Sequence, residues 1–264
     1  MSLHIKQLGG WYDKQRILKI LKEDYDNFYI LFDLENYNFL IGSSFFYYAK
    51  EGNEIKGVML IYYHSSGIRD IWLSGDNEAL SAFLENFDRE RSVFHLRFNN
   101  NENIFKDAEK IYHEYCMVNE KPDGVTYKDV KLISQDYYKD YGRLMSQWNG
   151  TRFPRMTEDE FKNILNYSTV YGYFVDGQLV SAATMGATWR DWFVISSVFT
   201  DPNHRNKGYA GKVVSTILGN YNHLGKAILY VNKNNDSAIN AYKRNNFRIY
   251  SEELWVDYGT GLIP

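Results

Sequence analysis

Val231-Asn232-Lys233-Asn234-Asn235-Asp236-Ser237-Ala238-Ile239-Asn240-Ala241-Tyr242-Lys243-Arg244-Asn245-Asn246-Phe247 is the stretch on which the fold turns. It leaves an apolar, β-rich run at 227–231 and passes an Asn-rich turn. It then predicts a helix over 237–245, with strands near 247–250 and 254–256 beyond. Upstream stands Arg205-Asn206-Lys207-Gly208-Tyr209-Ala210-Gly211. There Ala210, Val213, Val214, Ile217, Leu218 and Tyr221 follow the helical period, so the loop opens a helix after a strand over 192–200. A helix start carries unpaired N–H groups and the positive end of the dipole. Glycine there lets an anionic ligand approach the backbone, and Arg205 and Lys207 add positive charge. The loop reads as a cradle for a pyrophosphate, with neither the P-loop nor the Rossmann spacing. Taken alone, it reads equally as a solvated basic turn.

Together the two segments resemble the GNAT superfamily of N-acetyltransferases. The first matches Arg/Gln-x-x-Gly-x-Gly/Ala at Arg205, Gly208 and Ala210. The second matches Asn-x-x-Ala-x-x-x-Tyr-x-x-x-Gly-Phe at Asn235, Ala238, Tyr242 and Phe247. Asn246 stands where the family has glycine, and Asn tolerates the left-handed backbone of a helix C-terminus. The resemblance is close over 198–247 and looser from Val130 onward. It implies an α/β fold, a mixed, mainly antiparallel sheet flanked by helices. It further implies that the strand of Val198, Phe199 and Thr200 splays from that of 227–231, with pantetheine in the gap. Val198 and Thr200 would offer backbone groups, one of them to an oxyanion. Arg205, Asn206, Lys207, Gly208, Tyr209, Ala210 and Gly211 would hold the pyrophosphate. Asn235 would bond the pantetheine arm, Ala238 would let it pass, and Tyr242 would protonate the leaving thiolate. The cofactor implied is acetyl-CoA, as donor to a small-molecule or protein amine in a ternary complex, with no metal.

A primary amine with pKa near 10.4 is mostly protonated at neutral pH, and releasing its proton costs about 4–5 kcal/mol. The position where some family members carry a glutamate base is Val194 here. Asp191, His204, Glu252 and Glu253 are substitutes, each also readable as an ordinary surface or loop residue. Arg152 and Arg155 lie in a loop that walls the acceptor site in the family and suit an acidic group on the acceptor.

Working outward, Asp176-Gly177 between β-rich runs predicts a hairpin. Thr157 with Glu160 predicts a capping box ahead of a helix over 157–165, and a further helix is expected over 137–147. The first half repeats this order. It has a hairpin around 51–53, a strand from Arg69, a helix over 77–87 capped by Asp76, a strand over 93–98 and a helix ending near Tyr112. This reads as an internal duplication whose first copy lacks the cradle, because Asp76 and Glu78 would repel a pyrophosphate. The Pro- and Gly-bearing run 119–124 sets the division at 1–122 and 123–264.

The chain has 264 residues, 44% of them hydrophobic, and a net charge of −3. That gives enough apolar residues for two cores and no basic surplus for nucleic acid. No run suits a signal peptide or a membrane span, so the expectation is a cytoplasmic protein with no membrane partner. The single cysteine, Cys116, lies in an apolar run and reads as core. Two other readings remain: a CoA-binding sensor without chemistry, and a transferase that takes its donor from charged tRNA.

Overall fold

The computed structural model describes residues 3–21, 24–36, 44–64 and 67–261. The chain divides into two compact units. One holds the residues up to Glu114 together with those from Ser251 on; the other is Tyr115–Tyr250. The division suggested by the sequence, at 122/123, falls elsewhere.

Unit one contains β1 (His4–Gln7), α1 (Trp11–Leu21), α2 (Phe28–Asn36), β2 (Ser44–Glu51), β3 (Glu54–Tyr63), β4 (Arg69–Gly75), α3 (Asn77–Asn86) and β5 (Ser92–Arg97). β6 (Lys110–Asn119) begins in it. The expected helix before Tyr112 is absent. In its place a short 3-10 turn over Glu102–Phe105 precedes β6. The run from Ile111 to Val118 is rich in aromatic and β-branched residues, which fit a pleated surface. β4 and β5 are parallel, and the pairs β1–β2, β2–β3 and β3–β4 are antiparallel. Asp76 caps α3, its Oδ1 accepting the Ala79 N–H at 2.9 Å.

Unit two contains β7 (Val130–Leu132), α4 (Tyr138–Met145), α5 (Glu158–Tyr167), β8 (Thr169–Val175), β9 (Gln178–Trp189), β10 (Trp192–Thr200), α6 (Tyr209–Tyr221), β11 (Lys226–Asn232) and α7 (Asp236–Lys243). The Thr157–Glu160 capping box forms at α5. The hairpin turns at Asp176 and Gly177, both at positive φ as a type I′ turn requires. β10 and β11 run parallel, and β7, β8, β9 and β10 pair antiparallel in turn. Described separately, each unit thus follows one order: strand, two helices, three antiparallel strands, helix, parallel strand.

The last strand, β12 (Arg248–Tyr258), is one element where two were expected. Its residues from Ser251 on belong to unit one and pair antiparallel with β5, Glu253 opposite Arg97 through Tyr258 opposite Ser92. Leu254 and Val256 are fully buried in that unit's core with Phe83 and Phe94. Conversely, Tyr115–Asn119 of β6 belong to unit two, where Met117 is fully buried. The polar run Ser251-Glu252-Glu253 lies between the two expected strands. It continues as strand because its side chains find partners: Ser251 Oγ bonds Asp26, and Glu252 Oε1 meets His113 Nδ1 at 2.5 Å.

Glu253 corrects an expectation, since a solvated acid was foreseen and the residue is 1% exposed. Burial pushes its carboxyl well above the ordinary range. Asp26, Glu114 and Asp24 push it further, against a hydrogen bond donated by Trp255. A carboxyl raised on folding stabilises fully below its unfolded pKa, and that stability is lost as pH rises through the folded value. Glu253→Gln should therefore melt above the parent at pH 7–8 by a few degrees, since ~1 kcal/mol moves Tm by about 2–4 °C at this size. The gap should close toward pH 4.5; melting curves across pH test this, and a Gln variant less stable at pH 8 would contradict it.

The run 119–124 is no free linker. A Cβ on Gly124 would lie 2.0 Å from the Ser215 carbonyl oxygen and 2.4 Å from the Gly219 nitrogen, so only glycine fits against α6. Val125 N–H then donates to Ser215 Oγ at 2.9 Å. Among the described residues no helix is long and apolar enough to cross a membrane.

Candidate active site

β10 creates the site by leaving one neighbour while keeping the other. It pairs with β11 over Trp192–Val194 against Lys226–Ile228. It stays on β9 as far as Thr200 opposite Ser181. Between Ser196 and Phe199 the register with β9 shifts, and Ser197 takes φ 51, a bulge that bends the strand. The Asp201 N–H donates to Val180 O at 2.9 Å, so Asp201 faces β9. Ser181 Oγ donates to the Phe199 carbonyl at 3.2 Å, so Phe199 faces β9 too. By strand alternation Val198 and Thr200 turn their backbone groups the other way, into the gap.

The following loop sets the start of α6. Asp201 Oδ1 accepts the Asn203 N–H at 2.9 Å and starts a 3-10 turn over Pro202–His204. Asn206 and Gly208 both have left-handed backbone, φ 62 and 77, and α6 begins at Tyr209. Side chains cap the N-termini of α3, α5 and α7, whereas α6 has no side-chain cap. Its first-turn N–H groups therefore have no side-chain acceptor from a cap residue.

A cleft of about 580 Å³ joins these parts. One wall is Val198, Phe199 and Thr200, and the end is Arg205, Asn206, Gly208, Tyr209, Ala210 and Gly211. The opposite wall is the α7 region with Asn235, Ala238 and Tyr242. Twelve of the thirteen residues expected from the sequence thus line one cleft; Lys207 is exposed and does not. Arg205 Nε donates to the Thr200 carbonyl at 3.3 Å, with its guanidinium 5.7 Å from the Phe199 ring centroid. Asn235 Oδ1 accepts the Ala238 N–H at 3.2 Å, so its carbonyl caps α7 and its amide NH₂ remains to donate. Tyr242 is buried, its ring 6.1 Å from that of Phe247. Asn246 takes φ 61, the left-handed backbone anticipated for it.

Two lining residues stand apart from the motifs. Trp148, just past α4, stacks on Phe199 with centroids 5.4 Å apart. No sequence signal marked it, because its place depends on α4 packing across the sheet. His204 lines the cleft with its Nδ1 buried and without a hydrogen-bond partner. Val194 is buried, and Asp191 is exposed and paired to Lys226 at 3.3 Å. Arg152 and Arg155 are both exposed, and neither lines the cleft. Cys116 is buried, as its apolar run suggested.

Residues 131–247 match the family model described as acetyltransferase (GNAT) family. No curated protein matches the chain by sequence. Among solved structures, a GCN5-related N-acetyltransferase from Sphaerobacter thermophilus has TM-score 0.65 at 10% identity, covering 96% of this chain and 94% of its own. A GCN5-related N-acetyltransferase-like protein from Streptococcus suis has TM-score 0.61 at 13% identity, covering 94% and 99%. A tandem GNAT protein from the clavulanic acid biosynthesis pathway has TM-score 0.57 at 11% identity, covering 97% and 98%. At such identities these likenesses speak for the fold, and the repeated element order agrees with a tandem arrangement. The segment 131–247 is a member of the acetyltransferase (GNAT) family, carried in a two-domain chain with a GNAT-like first unit.

Proposed function

We propose that unit two transfers an acetyl group from acetyl-CoA to an amine by direct attack in a ternary complex. The observation that carries this reading is the single cleft that links an uncapped helix start to a splayed strand and to Tyr242. The helix N–H groups and Arg205 hold the pyrophosphate. Pantetheine lies along Val198 and Thr200, with the Asn235 amide donating to its arm. A backbone N–H in the gap stabilises the tetrahedral oxyanion. Collapse of that intermediate breaks the carbon–sulfur bond, and Tyr242 delivers its phenolic proton to the departing sulfur. The amine nitrogen gives up its own proton to solvent, since the buried Val194 offers no base. Acetyl-CoA turnover with a panel of amines, read as free thiol, tests the whole reading. Cofactor binding without thiol release on any amine would favour a sensor, the reading that Val194 supports.

The cradle has its own test. Gly208→Glu should abolish CoA binding in calorimetric titration, because it sets a carboxylate where the pyrophosphate sits. Nothing lies within 4 Å of a Cβ there, so space is no obstacle, but φ +77 strains any L residue. Gly208→Asn, which tolerates that backbone without adding charge, should keep most of the affinity. Equal affinity in Gly208→Glu would make the loop a mere turn.

A further inference from the structure

Two arginines line the large cleft of unit two, one on each wall. Arg205 stands on the loop, where its Nε is tied to the Thr200 carbonyl at 3.3 Å. Arg244 stands across from it, at the C-terminal end of α7. Ser237, Asn240, Ala241 and Arg244 line the cleft at i, i+3, i+4 and i+7, which is one face of a helix. Asn245 Nδ2 donates to the Gly211 carbonyl at 3.2 Å, and so holds this end of α7 against the first turn of α6. Arg244 therefore enters the cleft beside the uncapped helix start.

Among the described residues the Arg244 guanidinium has no hydrogen bond or ion pair. Arg248, four positions on, is by contrast met by Glu120 Oε1 at 2.8 Å. The residues lining the cleft include no aspartate or glutamate. Lys207 and Lys243 are exposed and do not line it. A guanidinium facing a cleft without carboxylates is a planar fork of N–H donors, and that fork matches a phosphate group.

CoA carries phosphate in two places, the pyrophosphate bridge and a monoester on the ribose 3′ oxygen. A phosphate monoester has its second pKa near 6, so at neutral pH it carries about −1.5 to −2. The helix start and Arg205 serve the pyrophosphate in the reading above. Arg244 is then the one lining cation left for the monoester.

We propose that Arg244 holds the 3′-phosphate of the donor and makes unit two select CoA over its 3′-dephospho form. The proposal rests on the donor reading above and deepens it, by assigning the feature of the donor that the cleft selects. Arg244 touches no reacting atom, so its effect lies in binding.

The experiment is calorimetric titration of the full chain with CoA and with 3′-dephospho-CoA, on the parent, Arg244→Gln and Lys243→Gln. Arg244 is exposed, and glutamine keeps a good helix former at that position. The parent should bind CoA at least about tenfold more tightly than dephospho-CoA. Arg244→Gln should weaken CoA at least about tenfold and leave dephospho-CoA within about twofold, so that the preference vanishes. Lys243→Gln removes the same charge from the neighbouring position outside the cleft and should leave both affinities as in the parent. Equal loss with both ligands in Arg244→Gln would put Arg244 on the pyrophosphate and overturn the proposal. Equal affinity of the parent for the two ligands would overturn it as well, while leaving the donor reading intact. A parent that binds neither ligand would overturn the donor reading itself, and this assignment with it.

Discussion

Tyr242→Phe should lower acetyl transfer by about 10²- to 10⁴-fold while CoA affinity holds, the usual range for loss of a general acid. A free thiol titrates near 8.5 and a phenol near 10, so at neutral pH the tyrosine carries the proton that the leaving sulfur needs. The substitution removes one hydroxyl from a residue that is otherwise core: Tyr242 is 5% exposed and packs with Val213, Ile239 and Phe247. The two roles separate in two measurements, the rate at saturating acetyl-CoA and the melting curve. A drop below about tenfold with a lowered melting temperature would leave Tyr242 as packing and solvent as the proton source.

Cutting the chain between Pro122 and Asp123 should leave two pieces that do not fold well alone. The second piece loses Tyr115–Asn119, and with them the fully buried Met117 and the bond from Asn119 Nδ2 to the Asn245 carbonyl at 2.9 Å. The first loses Ser251–Tyr258, which pair with β5 and bury Leu254 and Val256. Each such side chain is worth about 1.5–3 kcal/mol of burial. The β5 edge would also stand bare. Against a typical stability of about 5–15 kcal/mol these are large losses. The clean comparison lies within unit two: residues 115–250 should melt well above residues 123–250. Equal melting temperatures would show that the β6 segment adds nothing to that unit.

The cleft residues were legible because the chemistry proposed for them is local. The proposed pyrophosphate cradle asks for a glycine in left-handed backbone directly before a helix, and Gly208 with its neighbours has that geometry within seven residues. The capping box at Thr157 and the Asp176-Gly177 turn are legible for the same reason: each is settled by backbone geometry over a few positions. Trp148 reaches the cleft from a separate element, through stacking on Phe199, and no spacing in the sequence records that approach.

Two features read differently once folded. Glu253 resembles a surface acid and Gly124 an ordinary loop glycine, because an acid or a glycine looks the same in sequence whether it is exposed or packed. Only the fold places Glu253 opposite Arg97 on β5 and seats Gly124 against the backbone of α6. The sequence by itself determined the elements of unit two and twelve of the residues that line its cleft, since periodicity, caps and left-handed positions act over one or two turns of chain. The tertiary structure decided which strands complete each unit. Strand partners are chosen by edges that meet across more than a hundred residues, and the pairing of β12 with β5 is written in no local pattern.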